Sequence, residues 1–260
     1  MSSYTLHHGD CMEILPTIPS QSIDAVIADP PYGKTAYRWD SVVALAPMWA
    51  ELTRVIKPRG IVVLFSMQPF TSALVMSNAP MFRHEWIWDK LSATGPANSL
   101  IAPKRSHENI LVFADPGHTY NPIMWDAGKP NPKRGSARRQ YAPGKGQNYK
   151  DDYSHKENAN LRYPLSVIRL PFQIGECNNT KRVHPTQKPI DLLRYLVRTY
   201  TNHGDSILDF TMGSGSTGVA SIMEGRKFTG IEIETRYFDL ASGRIEQTQP
   251  ALMPAEEAAQ

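Results

Sequence analysis

The run Ile23-Asp24-Ala25-Val26-Ile27-Ala28 is apolar at every position but one, the density a strand carries when both of its faces are covered, as in a parallel sheet. Short runs of the same kind recur at Tyr4 to Leu6, Ile61 to Phe65, Phe82 to Trp88, Asn109 to Ala114, Ser206 to Phe210 and Lys227 to Ile231. Between them the apolar positions change to helical spacing. Val42, Leu45, Trp49, Leu52 and Ile56 predict a helix with Pro47 at a kink or in its first turn, stopped by Lys57-Pro58-Arg59-Gly60. Phe70 to Met76 predicts a second helix, and Ile190, Leu193, Val197 and Tyr200 form the stripe of a third that opens at Pro189. Thr217 to Met223 and Tyr237 to Ile245 supply two more, and Met12 to Leu15 a single turn before Pro16. Strands alternating with helices predict an α/β fold, a doubly wound, Rossmann-like and mostly parallel sheet.

From Asp115 to about Lys181 the periodicity stops, and Pro, Gly, Asn, Lys and Arg are interleaved with Tyr120, Trp125, Tyr141, Tyr149 and Tyr153. A stretch this long without periodic structure is functional or disordered. The expected organisation is therefore one domain in two halves, residues 1–114 and 182–248, around an insert at 115–181, with 249–260 a disordered tail.

Charge sharpens the picture of the insert. The chain carries a net +3, yet the seven cations Lys129, Lys133, Arg134, Arg138, Arg139, Lys145 and Lys150 lie in a segment without Asp or Glu, which leaves the remainder at −4. A basic segment on a mildly acidic body predicts a localised polyanion contact. No apolar run approaches the roughly 20 residues of a membrane span. The N-terminal residues lack the pattern of a signal peptide. Cys11 and Cys177 form no C-x-x-C pair and read as reduced thiols of a cytoplasmic protein, with neither a disulfide framework nor a metal site expected.

Two stretches carry chemistry. The first is Asp29-Pro30-Pro31-Tyr32, directly after the Ile23–Ala28 strand. Two prolines stiffen the turn and turn its carbonyls outward, so a carboxylate, a carbonyl and a flat ring stand together at the ligand-binding edge of the sheet. Such a loop accepts hydrogen bonds from an amino group and offers a stacking face. The second is Gly213-Ser214-Gly215-Ser216-Thr217-Gly218, which follows a strand, opens a helix and has Glu232 19 residues after Gly213. Those features match a dinucleotide fingerprint. Asp209 at the strand end opposes a pyrophosphate, however, and suits a cofactor that carries an amino group and a sulfonium, which points to S-adenosylmethionine.

Taken in order, His8-Gly9-Asp10-Cys11, Asp29 to Tyr32, Ser106-His107-Glu108-Asn109, His184 to Pro189, Asp209 to Thr217 and Gly230-Ile231-Glu232 resemble the permuted β group of amino-methylating DNA methyltransferases over residues 8 to about 245. In that family the catalytic loop precedes a target-recognition region, which precedes the cofactor glycine loop. The resemblance implies that Asp29, Pro30, Pro31 and Tyr32 are catalytic, with Asp29 also among the cofactor-binding residues. It implies that Asp209, Phe210, Gly213, Ser214 and Gly215 line the methionine moiety, with Ser216 and Thr217 at the helix start. Lys188 would hold the methionine carboxylate, Glu232 the ribose, and Asp10 with Cys11 the adenine ring, Cys11 being equally well explained by packing.

The implied reaction is direct in-line transfer to the amino group of a base flipped out of double-stranded DNA, with the basic insert gripping the strand. Asp at the head of D-P-P-Y favours N6 of adenine over N4 of cytosine. An NAD-dependent oxidoreductase and a non-catalytic DNA-binding module are the rivals from other classes, and methylation of RNA or of a protein amide shares the chemistry. Dimerisation and a restriction endonuclease partner are left open.

Overall fold

A computed structural model describes residues 3–33, 43–94, 100–128, 160–170 and 187–249. Its centre is an eight-stranded sheet. β1 (Tyr4–His8), β2 (Ile23–Ala28), β3 (Ile56–Ser66), β9 (Ser206–Asp209) and β10 (Lys227–Glu232) run parallel in the order β1-β10-β9-β2-β3. β5 (Arg105–Ala114) is antiparallel to β3, β4 (Phe82–Thr94) is antiparallel to β5, and β8 (Val167–Arg169) pairs with β4 at the edge. The two strands from the C-terminal part of the chain thus sit between β1 and β2, and the sheet reverses its order where β9 meets β2.

The alternation along each strand divides the core into two layers. Ala25, Ile27, Ile61, Val63 and Phe65 face α4 (Ile190–Tyr200), α5 (Ser216–Met223) and α6 (Thr235–Glu246). Val26, Ala28, Val62 and Leu64 face α2 (Leu45–Val55) and α3 (Phe70–Ser77), with the short α1 (Cys11–Ile14) and its following 3-10 turn. Helices on both faces of a mostly parallel sheet are the expected doubly wound architecture. α4 opens after Pro189, as its missing N–H allows, and buries Ile190, Leu193, Val197 and Tyr200.

Two local expectations are corrected. Lys57-Pro58-Arg59-Gly60 does not separate helix from strand: α2 ends at Val55, and these residues form a bulge inside β3, where the register passes from Ile23↔Ile56 to Ala25↔Ile61. Gly60 is needed there, because a Cβ would lie 2.8 Å from the Lys57 carbonyl oxygen and 3.1 Å from that of Asp24. β4 and β5 also run past the apolar stretches that announced them, to Thr94 and back to Arg105. Their extensions carry Lys90 and Glu108, whose burial rests on charge pairing and not on hydrophobicity.

A second compact unit spans Pro122–Leu165, within the 115–181 segment. Its described part pairs β6 (Trp125–Asp126) antiparallel with β7 (Leu161–Arg162), and the Trp125 indole donates to the Tyr163 carbonyl at 3.1 Å. The seven cations of the insert, Tyr141, Tyr149, Tyr153, Cys177 and the tail beyond residue 249 lie outside the described residues. Among the described residues no helix is long and apolar enough to cross a membrane.

Packing of α5 is close enough to test. A Cβ on Gly218 would lie 2.5 Å from Ile245 Cδ1 and 2.7 Å from Phe228 Cε1. Gly218→Ala is expected to cost about 2 kcal/mol of stability through overpacking, read as a lower Tm. An unchanged Tm would mean that α5 and α6 separate more easily than this contact implies.

Candidate active site

β2 is buried from Ile23 to Ala28 except at Asp24 and delivers Asp29 to its carboxyl end, followed by buried Pro30 and half-buried Pro31 and Tyr32. Both oxygens of Asp29 are engaged. Oδ1 accepts from the Tyr32 hydroxyl, and Oδ2 accepts from Lys188 Nζ at 2.5 Å. The Tyr32 ring leans on Phe70 with centroids 5.4 Å apart. Lys188 reaches the site because the turn before α4 places it over the Phe65 ring, 5.0 Å from the centroid.

The ion pair does not end at Lys188. Its Nζ also lies 3.3 Å from Glu108 Oε2, while Glu108 Oε1 takes the Lys90 ammonium, itself 5.3 Å from the Trp88 ring. Charges therefore alternate along Asp29, Lys188, Glu108 and Lys90. The Lys188 and Glu108 side chains are only 8% and 9% exposed, so solvent screens the pair weakly. Burial opposes the Lys188 charge, but Asp29 and Glu108 outweigh it and hold its pKa above the ordinary lysine value. Burial likewise opposes the Glu108 charge, and Lys188 with Lys90 reverses the balance and lowers its pKa. Asp29 is raised, by burial first and by Glu108 as well, against the pull of Lys188.

Glu108 and Lys90 are not among the residues expected at the site from the sequence, although Glu108 lies within Ser106-His107-Glu108-Asn109. A signal was present. At period two Glu108 shares the face of Ile110 and Val112, and Lys90 shares that of Trp86 and Trp88, all four apolar residues being core. A charge at an inward position of a strand requires a buried partner.

The second cluster lies one strand away, because Val26 of β2 pairs with Leu208 of β9 and so aligns the two strand ends. Asp209 is 3% exposed, accepts from the Thr211 N–H at 3.1 Å and is bonded by the Thr217 side chain. Burial pushes its pKa to about 7, helped by the neighbouring charges of Asp29 and Glu232. The chain then turns through Gly213 (φ 52°) and Gly215 (φ 75°), left-handed conformations open to glycine. A Cβ on Gly215 would stand 2.8 Å from Ala241 Cβ of α6.

Glu232, at the end of β10, ties this loop down: Oε2 accepts from the Gly213 N–H at 2.9 Å and Oε1 from the Glu234 N–H at 2.8 Å. Ser214, Ser216 and Thr217 are buried, and Arg244 donates to the Ser214 carbonyl. Asp10 follows β1 next to the same end, since the Gly9 N–H donates to the Glu232 carbonyl at 2.9 Å.

Most of the predicted site residues thus fall along one edge of the sheet. Three of them also have structural partners. Asp10 caps α1, accepting from the Met12 N–H at 2.7 Å. The half-buried Cys11 packs against the layer of α2 and α3, and burial first, then Asp10, pushes its thiol up to about 11, which removes it as a nucleophile. Phe210 is 1% exposed and belongs to that layer's core. The seven basic residues lie outside the described residues.

Three buried or half-buried carboxylates, Asp29, Asp209 and Glu232, line this edge together with a glycine turn that lets a ligand approach the backbone. Such an edge repels a pyrophosphate and fits a cofactor presenting an ammonium, a sulfonium and ribose hydroxyls. The fit favours S-adenosylmethionine over a nicotinamide dinucleotide.

The chain is 29% identical over 253 residues to the DNA adenine methyltransferase YhdJ of Escherichia coli, covering 93% of this chain and 82% of that protein. Among solved structures it superposes on the complex of M1.HpyAVI with SAM with a TM-score of 0.63 at 23% identity, over 93% of this chain and 98% of the other. The cytosine-N4-specific PvuII DNA methyltransferase gives a TM-score of 0.67 at 15% identity, over 99% and 91%. Likenesses at these identities establish a shared fold. The sequence model of the N6/N4 DNA methylases matches residues 23–243, and the chain belongs to that family of DNA methylases.

Proposed function

We propose that this chain transfers a methyl group from S-adenosylmethionine to the N6 amino group of adenine in double-stranded DNA, acting in the cytoplasm. The observation that carries the proposal is the alignment of β2 with β9, which puts Asp29 beside Asp209 and the glycine turn at one edge of the sheet. The family membership and the adenine methyltransferase relative support the choice of reaction.

An exocyclic amino nitrogen is a poor nucleophile because its lone pair is delocalised into the ring. In the proposed site the Asp29 carboxylate and the Pro30 carbonyl accept hydrogen bonds from its two N–H groups, which localises the pair on nitrogen and orients it for in-line attack, and the proton that the methylated nitrogen gives up leaves on the Asp29 side. When bound, S-adenosylmethionine supplies an electrophilic methyl group on a sulfonium. Asp209 and Glu232 are the residues proposed to hold its ammonium and ribose, with the 213–217 backbone closing around the methionine, while Lys188 is held by Asp29 and Glu108 and serves the catalytic carboxylate in place of the cofactor. Asp10 and Cys11 flank the adenine. The Tyr32 hydroxyl fixes the rotamer of Asp29, and its ring offers the face on which the flipped base stacks. The cations of the insert, from Lys129 to Lys150, are proposed to hold the phosphates.

The test is transfer of labelled methyl from S-adenosylmethionine to plasmid DNA, followed by mapping of modified bases by single-molecule sequencing. N6-methyladenine within one short recognition sequence is expected. Modification of N4 of cytosine would replace the base assignment, and a clear preference for RNA or a protein acceptor would overturn the substrate.

A further inference from the structure

The reading of the site as an adenine methyltransferase leaves Glu108 without a task. Packing does not require a carboxylate at that position, since its neighbours on the same face, Ile110 and Val112, are wholly buried and apolar. Burying a carboxylate is costly unless its partners are well placed. Here the partners are Lys90 on one side and Lys188 on the other, and Lys188 is the group that occupies Oδ2 of Asp29.

One ammonium shared by two carboxylates sets the charge that either can present to a third group. During transfer, positive charge develops on the target nitrogen, and a negative Asp29 stabilises it. Without Glu108 the formal charges of Asp29, Lys188 and Lys90 would sum to +1 behind the nitrogen. With Glu108 present the four charges sum to zero and alternate, so Asp29 keeps negative potential toward the substrate. We propose that Glu108 is a positioning residue for methyl transfer, which by sharing the Lys188 ammonium lets the Asp29 carboxylate keep its negative charge toward the target amino group. This role rests on the functional reading given above.

Two substitutions break the same buried pair from opposite ends. Glu108→Gln hands Lys188 to Asp29, whereas Lys90→Met leaves Glu108 to draw Lys188 more strongly and makes Asp29 the better acceptor. The groups that face Asp29 are Tyr32 from its own loop, Lys188 before α4, Glu108 on β5 and Asp209 on β9.

Single-turnover transfer to the mapped duplex is measured against pH for both variants. E108Q is expected to be slower by about tenfold or more, with its acid limb moved to lower pH because a neighbouring negative charge is gone. K90M is expected to be at least as fast as the wild type, with its acid limb moved to higher pH. A readout without turnover is the affinity, in the presence of S-adenosylhomocysteine, for duplexes carrying adenine or unsubstituted purine at the target. E108Q narrows the preference for adenine, and K90M does not.

If E108Q does not fold, E108Q/K90M compared with K90M takes its place with the same expected slowing. Equal slowing of E108Q and K90M, as a purely structural pair would give, or no change in either, overturns the role of Glu108. A wild-type protein that transfers no methyl group to adenine overturns the functional reading instead.

Discussion

Asp29→Asn is expected to lower the single-turnover rate of methyl transfer by about 10³-fold, the scale seen when a group aimed at developing charge is removed. The substitution keeps the shape of the side chain and changes two things. An amide offers one acceptor where the carboxylate offers two, and the structure already commits the Asp29 oxygens to Tyr32 and Lys188. Whichever way the amide turns, its NH2 faces a donor, either the Lys188 ammonium or the Tyr32 hydroxyl with the target amino group beside it. The substitution also leaves Lys188 paired with Glu108 alone, so the site turns from neutral to cationic where positive charge must develop. Breaking one side of a buried ion pair costs about 3–5 kcal/mol when nothing replaces it. Here Glu108 remains at 3.3 Å from Lys188, so a folded variant is expected. Circular dichroism and DNA binding should therefore survive while transfer is lost. A D29N variant that transfers at the wild-type rate would remove Asp29 from the chemistry.

Asp209→Asn is expected to weaken S-adenosylmethionine binding and to raise the Tm at pH 8 in the same protein. The carboxyl of Asp209 has a pKa of about 7 against 3.8 for the free side chain, burial being the first cause. A folded-state pKa raised above the unfolded one favours the fold while the group is protonated. That contribution is complete below pH 3.8 and is lost as pH rises through about 7. At pH 8 the ionised group consequently opposes folding by roughly 4 kcal/mol. Asparagine keeps an acceptor for the Thr211 N–H and removes the charge, so a Tm gain of several degrees at pH 8, shrinking toward pH 4, is the expected signature. The binding signature has the opposite sense. An ammonium prefers the ionised carboxylate, so wild-type affinity is expected to fall about tenfold per pH unit below 7 and to level off above it. In D209N this pH dependence is expected to disappear, leaving the weak affinity throughout. Calorimetric titration across pH 5.5 to 8.5 checks it, and a pH-independent wild-type affinity would sink the assignment of Asp209 to the ammonium.

Much of the architecture was legible before the fold was known. β2 occupies the six residues of its apolar run, and β9, β10 and α4 fall within a residue or two of theirs. Burial on both faces leaves no room for polar residues, so such strands are continuous in the sequence. The glycine turn and Asp29 to Tyr32 were legible for a related reason, since special backbone geometry restricts residue type. Less legible were the ends of β4 and β5 and the bulge in β3. There a strand continues through Lys, Glu, Pro and Gly, and hydrophobicity no longer marks it.

By itself, then, the sequence determined the α/β class, most elements and the two loops at the ligand edge, because each depends on local composition and period. Tertiary structure alone decided that Lys188 bonds Asp29, 159 residues away, and that Glu108 and Lys90 complete the line of charge behind it. It also decided that burial carries the Asp209 carboxyl to about pKa 7. These are properties of the distances between charges and of the water excluded around them. Neither quantity exists along the chain until β2, β5, β9 and the turn before α4 meet.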